Sequence, residues 1–90
     1  MEAFNLIEGE FTSDEALEIL MNLINEKIRF HEVQSLTKIE MGISGLEKHK
    51  DRIEYLKKTR SRLKEIMEQA SKNNCLVALN AEVTIQFGKD

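Results

Sequence analysis

Residues 41–47 read Met-Gly-Ile-Ser-Gly-Leu-Glu, and this stretch separates two arms that both show helical periodicity. Gly42 can adopt the left-handed conformation that ends a helix, which a residue with a Cβ adopts only at a cost. Ser44 and Glu47 have the spacing of a capping box, in which two side chains bind free backbone N–H groups at a helix start. The stretch therefore predicts an αα-hairpin with its turn at residues 42–45.

The composition favours one small domain made of long helices. The chain has 90 residues, no proline and four glycines, at positions 9, 42, 45 and 88, and we place every glycine at a boundary between elements. Proline and glycine are the residues that most weaken a helix interior, so their exclusion from the two arms favours uninterrupted helices. The net charge of −3 is mild and does not indicate the basic surface that is typical of nucleic-acid-binding proteins.

The single cysteine and the hydropathy pattern bear on location. Cys75 has no second cysteine with which to form a disulfide or a cysteine-based zinc site, so we expect a reducing, cytoplasmic setting. We expect Cys75 itself to be a small packing residue where a strand begins. No apolar run approaches the roughly 18 residues of a membrane span, and the region after Met1 lacks the pattern of a signal peptide. We therefore predict no membrane association.

The first arm predicts a helix over residues 13–41 with two apolar stripes. Thr12 and Glu15 form a second capping box at its start. At about 100° per residue, the main stripe consists of Leu17, Leu20, Met21, Ile24, Ile28, Ser35, Leu36 and Ile39. A helix that covered only the other arm would need one stripe, so a second stripe predicts a second neighbour, which we expect to be another copy of the chain. The predicted oligomer interface consists of Ile19, Leu23, Phe30, Val33 and Met41.

The second arm predicts a helix over residues 46–72 with a coiled-coil seam. Its seam positions alternate in spacing between three and four residues. They are Leu46, His49, Ile53, Leu56, Arg60, Leu63, Met67 and Ala70. Apolar and polar residues then alternate over residues 76–87, which predicts a β-strand with one buried face, and residues 3–8, bounded by Gly9, predict a shorter strand.

These elements give a mainly α fold with terminal strands, in the order β-α-α-β. We expect a long antiparallel helical hairpin that dimerises into a four-helix bundle, with a small β-sheet at the open end. The combination of helical arms with β-structure resembles prefoldin-type chaperone subunits. In that family the strands lie between the helices, whereas here they flank them, so the resemblance implies no function for this chain.

Polar residues on the helix interfaces are the first candidates for a site. Counted from the turn, His31 and His49 differ in level by about seven residues, or ~10 Å, so we expect them not to bind one metal ion within a subunit. We interpret them as polar positions that set helix register. The same count places Arg60 opposite Glu26 and Lys27, and predicts an ion pair between Arg60 and Glu26.

Catalytic motifs are missing from the sequence. It contains neither a nucleophile elbow nor a glycine-rich phosphate loop, and we predict no catalytic residue, no cofactor and no metal. An enzyme would need an active site assembled across subunits from His31, Glu32 or His49. We therefore expect a protein that is not an enzyme.

One basic stretch offers an alternative function. Residues 57–64 carry five basic groups and no acidic group, whereas residues 1–18 carry six acidic groups and no basic group. A basic helical stretch can follow a phosphate backbone. Its possible phosphate contacts are Lys57, Lys58, Arg62 and Lys64. The chain is acidic overall and has no aromatic platform beside the cluster, so a homo-oligomeric interaction or scaffold protein, presenting helical surface and a sheet edge to a protein partner, is favoured over nucleic-acid binding.

Overall fold

The computed structural model describes the backbone of residues 1–41 and 46–88, and the side chains of residues 1–37 and 48–88. The predicted order is confirmed, since two helices are flanked by two antiparallel terminal strands. The elements are β1 (Glu2–Phe11), α1 (Ser13–Met41), α2 (Leu46–Lys72) and β2 (Val77–Ile85). The predicted turn at residues 42–45, with the Ser44–Glu47 capping box, lies outside the described residues.

A capping box starts α1. The backbone N–H of Thr12 donates to Oε1 of Glu15 at 2.9 Å, and the backbone N–H of Glu15 donates to Oγ1 of Thr12 at 3.1 Å. The hydrogen bonds from the Thr12 backbone and, to a lesser degree, its side chain lower the pKa of Glu15 below its usual value, because they stabilise the carboxylate. Two N–H groups that would lack partners at the helix start are therefore satisfied locally.

A left-handed asparagine ends α2. Asn74 has a φ of 52°, its N–H donates to the carbonyl of Ser71 at 3.2 Å, and the N–H of Cys75 donates to the carbonyl of Ala70 at 2.9 Å. This pair of bonds is a Schellman motif, which turns the chain out of the helix. The prediction that Cys75 is a packing residue was wrong. The thiol is free and exposed, because Cys75 lies between the last helical turn and Val77, where pairing of β2 begins.

The two strands form a sheet that projects from the open end of the hairpin. Phe11 pairs with Val77 next to the helices, and Glu2 pairs with Ile85 at the far end. The apolar side chains of β2 are half-buried near the helices and become exposed toward Ile85. An isolated pair of strands is only marginally stable, so the connection to the helices at one end anchors this sheet.

The strand bounds differ from those predicted. β1 extends through Gly9, which was expected to end it, to Phe11. Gly9 has a φ of 145°, which side-chain-bearing residues rarely adopt, and it still pairs with Leu79. β2 ends at Ile85, short of residue 87, because the pairing partner of Ile85 is already the first residue of β1.

The core is small and lies between the two helices. Ile24 and Ile28 of α1 pack with Leu56 of α2 into one buried cluster, and Ile53 and Leu63 pack against it. Among the side chains of residues 1–37 and 48–88, the buried apolar residues are Ala16, Ile24, Ile28, Leu56 and Met67. All fall on the predicted stripes except Ala16, whose backbone N–H donates to the carbonyl of Thr12 at 2.9 Å in the first turn of α1.

One predicted member of the α1 core stripe is misplaced. Leu36 is 61% exposed. At about 100° per residue it lies roughly 120° around the helix from Ile24, so its side chain leaves the surface that contacts α2.

The folded chain is a single layer of structure. It measures 50 × 31 × 14 Å, so its thickness barely exceeds the diameter of one helix, about 10–12 Å. Its radius of gyration is 16.4 Å, against about 12 Å for a compact chain of this length. Its accessible surface is 7319 Å², against about 5,400 Å² for a compact monomer of this mass. Most domains enclose their core between two layers, and this chain supplies one.

The cap of α1 can be tested by substitution. Thr12→Ala removes the hydroxyl that accepts from the N–H of Glu15, and we expect it to lower the free energy of unfolding by about 1 kcal/mol. Thr12→Ser keeps the hydroxyl and should retain most of the stability. Urea denaturation followed by circular dichroism measures both, and equal stability of the two variants would contradict a contribution from the cap.

Candidate dimer interface

The second stripe of α1 lies on the surface of the chain. Leu23 and Phe30 are 49% and 51% exposed, Val33 is similarly exposed, and Ile19 is half-buried. The side chain of Met41 lies outside the described part of the chain. Large apolar side chains that are exposed next to one another along a helix are typical of an interaction surface. This stripe is therefore a candidate interface.

Helical geometry determines which side of the hairpin this stripe occupies. Relative to Ile24, which points at α2, a rotation of about 100° per residue carries Leu23 and Phe30 to one flank of α1 and Asn25 to the other. Nη1 of Arg60 donates to Oδ1 of Asn25 at 2.7 Å. This bond identifies the flank of α2 that lies beside Asn25, and therefore the opposite flank that lies beside Leu23 and Phe30.

The same side of the hairpin receives apolar residues from α2. Tyr55 and Ile66 are 57% and 37% exposed, and both rotate away from the flank that holds Arg60. Sequence reasoning missed them because they lie off the α2 seam. Their spacing of eleven residues, close to three helical turns, was the available signal. We define the apolar face as Ile19, Leu23, Phe30, Tyr55 and Ile66, with Val33 at its outer edge.

The opposite side of the hairpin is charged. It carries one row of residues from each helix, and the members of each row are spaced by seven. All of these side chains are exposed. We define the charged face as Glu18, Asn25 and Glu32 of α1 with Lys50, Lys57 and Lys64 of α2. The hairpin is therefore amphipathic as a whole, although each helix is already half covered by its partner.

Cationic side chains border the apolar face. Nζ of Lys27 lies 5.3 Å from the ring centroid of Phe30, and the guanidinium of Arg52 lies 4.8 Å from that of Tyr55. Both distances are within the range of cation–π attraction. The long aliphatic parts of Lys and Arg can shield ring surface while the charge stays in water. An apolar centre with a polar, charged rim is the usual composition of a protein interface.

The two histidines meet between the helices. Their Nδ1 atoms are 2.9 Å apart and their ring centroids 5.1 Å apart, so the predicted separation of ~10 Å was wrong. His31 lies ten residues before the end of α1 at Met41, whereas His49 lies three residues after the start of α2 at Leu46. The count assumed that contacting residues of the two helices lie equally far from the turn, and for these two histidines they do not.

The predicted ion pair between Arg60 and Glu26 was also wrong. Arg60 binds Asn25, whereas Glu26 pairs with Arg29 at 3.4 Å on the surface of α1. Glu26 follows Asn25 and is therefore rotated by about 100° around α1, to the side away from α2, where it cannot reach Arg60. Glu32, the third group considered for a composite active site, is exposed on the charged face.

The basic stretch does not form one surface. Lys58 and Arg62 each pair with a glutamate on α2, at 3.3 and 3.2 Å, and Arg60 turns toward α1. Lys57 and Lys64 lie on the charged face, whereas Lys58 and Arg62 point to other sides of α2. The charges that are adjacent in sequence therefore point in several directions, and a phosphate backbone could follow only part of them.

Comparison with known proteins adds no assignment. No protein-family model, curated protein or solved structure matches this chain. Neither helix, over residues 1–41 and 46–88, is long and apolar enough to cross a membrane. In the same residues, no group of three or more His, Cys, Asp and Glu side chains is arranged to hold a metal ion.

Nucleic-acid binding through the basic stretch can be tested directly. We expect no mobility shift of duplex DNA or RNA at about 50 mM salt, because the basic side chains are divided among several directions. A shift at low salt that disappears near 200 mM and is abolished by Lys57→Gln with Lys64→Gln would contradict this expectation.

Proposed function

We propose that this protein is a non-enzymatic, cytoplasmic interaction or scaffold protein that acts as a homodimer. Two hairpins pair through their apolar faces into a four-helix bundle, and the outer surfaces and sheet edges remain available to a protein partner. The observation that carries the proposal is the single 14 Å layer with large apolar side chains exposed on one side. A second layer completes the core, and a second copy is the simplest source of one.

The size of the apolar face suits a stable dimer. Two helices of about 40 Å laid side by side offer roughly 40 × 20 Å, or about 800 Å². A standard protein interface buries about 800 Å² per partner. The chain also exposes about 1,900 Å² more than a compact monomer of its mass, so the surplus is large enough to supply the interface.

Burial of the apolar face favours association. Full burial of a large apolar side chain contributes about 1.5–3 kcal/mol, and these side chains are already half covered in the single chain. Leu23, Phe30, Tyr55 and Ile66 would therefore contribute several kcal/mol per copy. The charged face is less suited to this role, because the cost of removing lysine and glutamate from water can exceed the gain from any ion pair they form.

The surfaces left outside the dimer are suited to a protein partner. Each strand of the two-stranded sheet has one edge whose backbone groups pair with no other strand in residues 1–41 and 46–88. An extended segment of another protein can add to such an edge through main-chain hydrogen bonds. The charged face remains exposed on the outside of the bundle and offers acidic groups from α1 beside basic groups from α2 for contact.

The dimer predicts a specific pattern of dissociation. Phe30→Asp and Leu23→Asp should each convert the dimer to a monomer, because a carboxylate would be buried in an apolar interface. Tyr55→Asp should weaken the dimer and so test the contribution of α2. Leu36→Asp is the matched control, since Leu36 is also a large exposed apolar residue of the same helix, 61% exposed against 51% for Phe30, but lies on the opposite flank. Sedimentation equilibrium or light scattering gives the mass in each case.

Two results would refute the proposal. A wild-type chain that is monomeric at every accessible concentration would remove the dimer. Dissociation by Leu36→Asp as complete as that by Phe30→Asp would show that the apolar face is not the interface.

A further inference from the structure

Among the side chains that the structure describes, His31 and His49 are the two titratable groups that meet between the helices in a part-buried position. The Nδ1 atoms lie 2.9 Å apart, so one ring must donate a proton and the other must accept it. Nε2 of His31 is buried and has no hydrogen-bond partner, and neither has Oγ of Ser35 one turn further along α1. A partly buried pair with an unpartnered nitrogen tolerates only some protonation states.

The hydrogen bond survives one added proton but not two. When one ring is neutral, its bare Nδ1 accepts the N–H of the other ring, whether or not that other ring is charged. When both rings are charged, two N–H donors face each other at hydrogen-bond distance and no lone pair lies between them. Protonating His31 at Nε2 instead would place a charged N–H in a buried position without an acceptor, which is costly.

The described charges that act on His31 all have the same sign. Lys27 of α1 and Arg52 of α2 both act on His31, as does His49 when it is charged. These cations would repel a third positive charge, and they would equally repel a divalent metal ion. Because no third ligand joins the two imidazoles within the described residues, a metal site is the weaker interpretation of the pair.

We propose that the His31–His49 pair is a pH-sensitive latch, which holds the two helices together near the turn and releases them when both rings are protonated. Both rings belong to one chain, so the latch does not depend on the proposed dimer. A movement of His31 would nevertheless affect the apolar face, because the ring of Phe30 packs edge-on against His31 with centroids 5.4 Å apart.

The direction of the pH effect follows from the surroundings of His31. Desolvation, followed by the charges of Lys27, His49 and Arg52, lowers the pKa of His31 from its usual value of 6.5. Below about pH 6.5 the unfolded chain therefore binds more protons than the folded chain, and acid favours unfolding. The stabilisation is complete above this pH and is lost as the pH falls through the lower pKa of the folded chain.

The test compares urea denaturation of the wild type and of His31→Gln/His49→Gln between about pH 7.5 and pH 5, the range in which histidine titrates. Glutamine retains polarity and hydrogen bonding without titrating, and the double variant corrects for the acidic groups of the chain. We expect the unfolding constant of the wild type to rise more steeply with acid, by up to about tenfold per pH unit for each extra proton bound on unfolding.

A second measurement keeps the proposal testable if the double variant does not fold. Nuclear magnetic resonance of the imidazole carbons gives the protonation of each histidine in the wild-type chain, and His49→Gln removes the facing ring alone. We expect His31 to titrate below its usual range in the wild type and closer to it in His49→Gln. The latch is refuted by an unshifted titration of His31, or by equal pH dependence of stability in the wild type and the double variant.

Discussion

The structure depends on one narrow contact, in which Ile24 and Ile28 of α1 pack against Leu56 of α2. Helices as long as these are not stable in isolation to the degree that a folded domain requires, and most helical stability comes from burial of an amphipathic face. Here that burial takes place along a single line. The rotation of each helix about its own axis, relative to this contact, sets the direction of each exposed stripe.

Local chemistry was readable from the sequence because it acts over a few residues. The capping box at Thr12 depends on side chains within one turn of the helix boundary. The alternation in β2 similarly follows from the geometry of a single strand. These signals gave the type and order of the elements. The extent of β1 was missed because its pairing with β2 continues through Gly9, and this pairing depends on residues that are distant in sequence.

Relations between the helices were harder to predict because they depend on stagger and rotation. A count from the turn placed His31 and His49 far apart, since it assumed that partners lie equally far from the turn, and the contact at 2.9 Å shows that they do not. For Arg60 the count was wrong by only one residue, and the error was one of rotation, because Glu26 points away from α2 and the partner is Asn25. Rotation explains the apolar face as well: the α1 residues were found from one helix alone, whereas Tyr55 and Ile66 joined them only once the Arg60–Asn25 bond fixed the orientation of α2.

The difference between the two faces bears on how far assembly would proceed. A single layer with two apolar sides would stack repeatedly, because each added copy would leave a new apolar surface exposed. In this hairpin one side is apolar and the other carries rows of lysine and glutamate with Leu36 as an isolated apolar residue, so a pair joined through the apolar face leaves mainly charged surfaces outside. A face that pairs with the same face of a second copy forms a closed, two-fold symmetric contact. The charge rows therefore favour a dimer over a filament, and they do so without contributing to the interface itself.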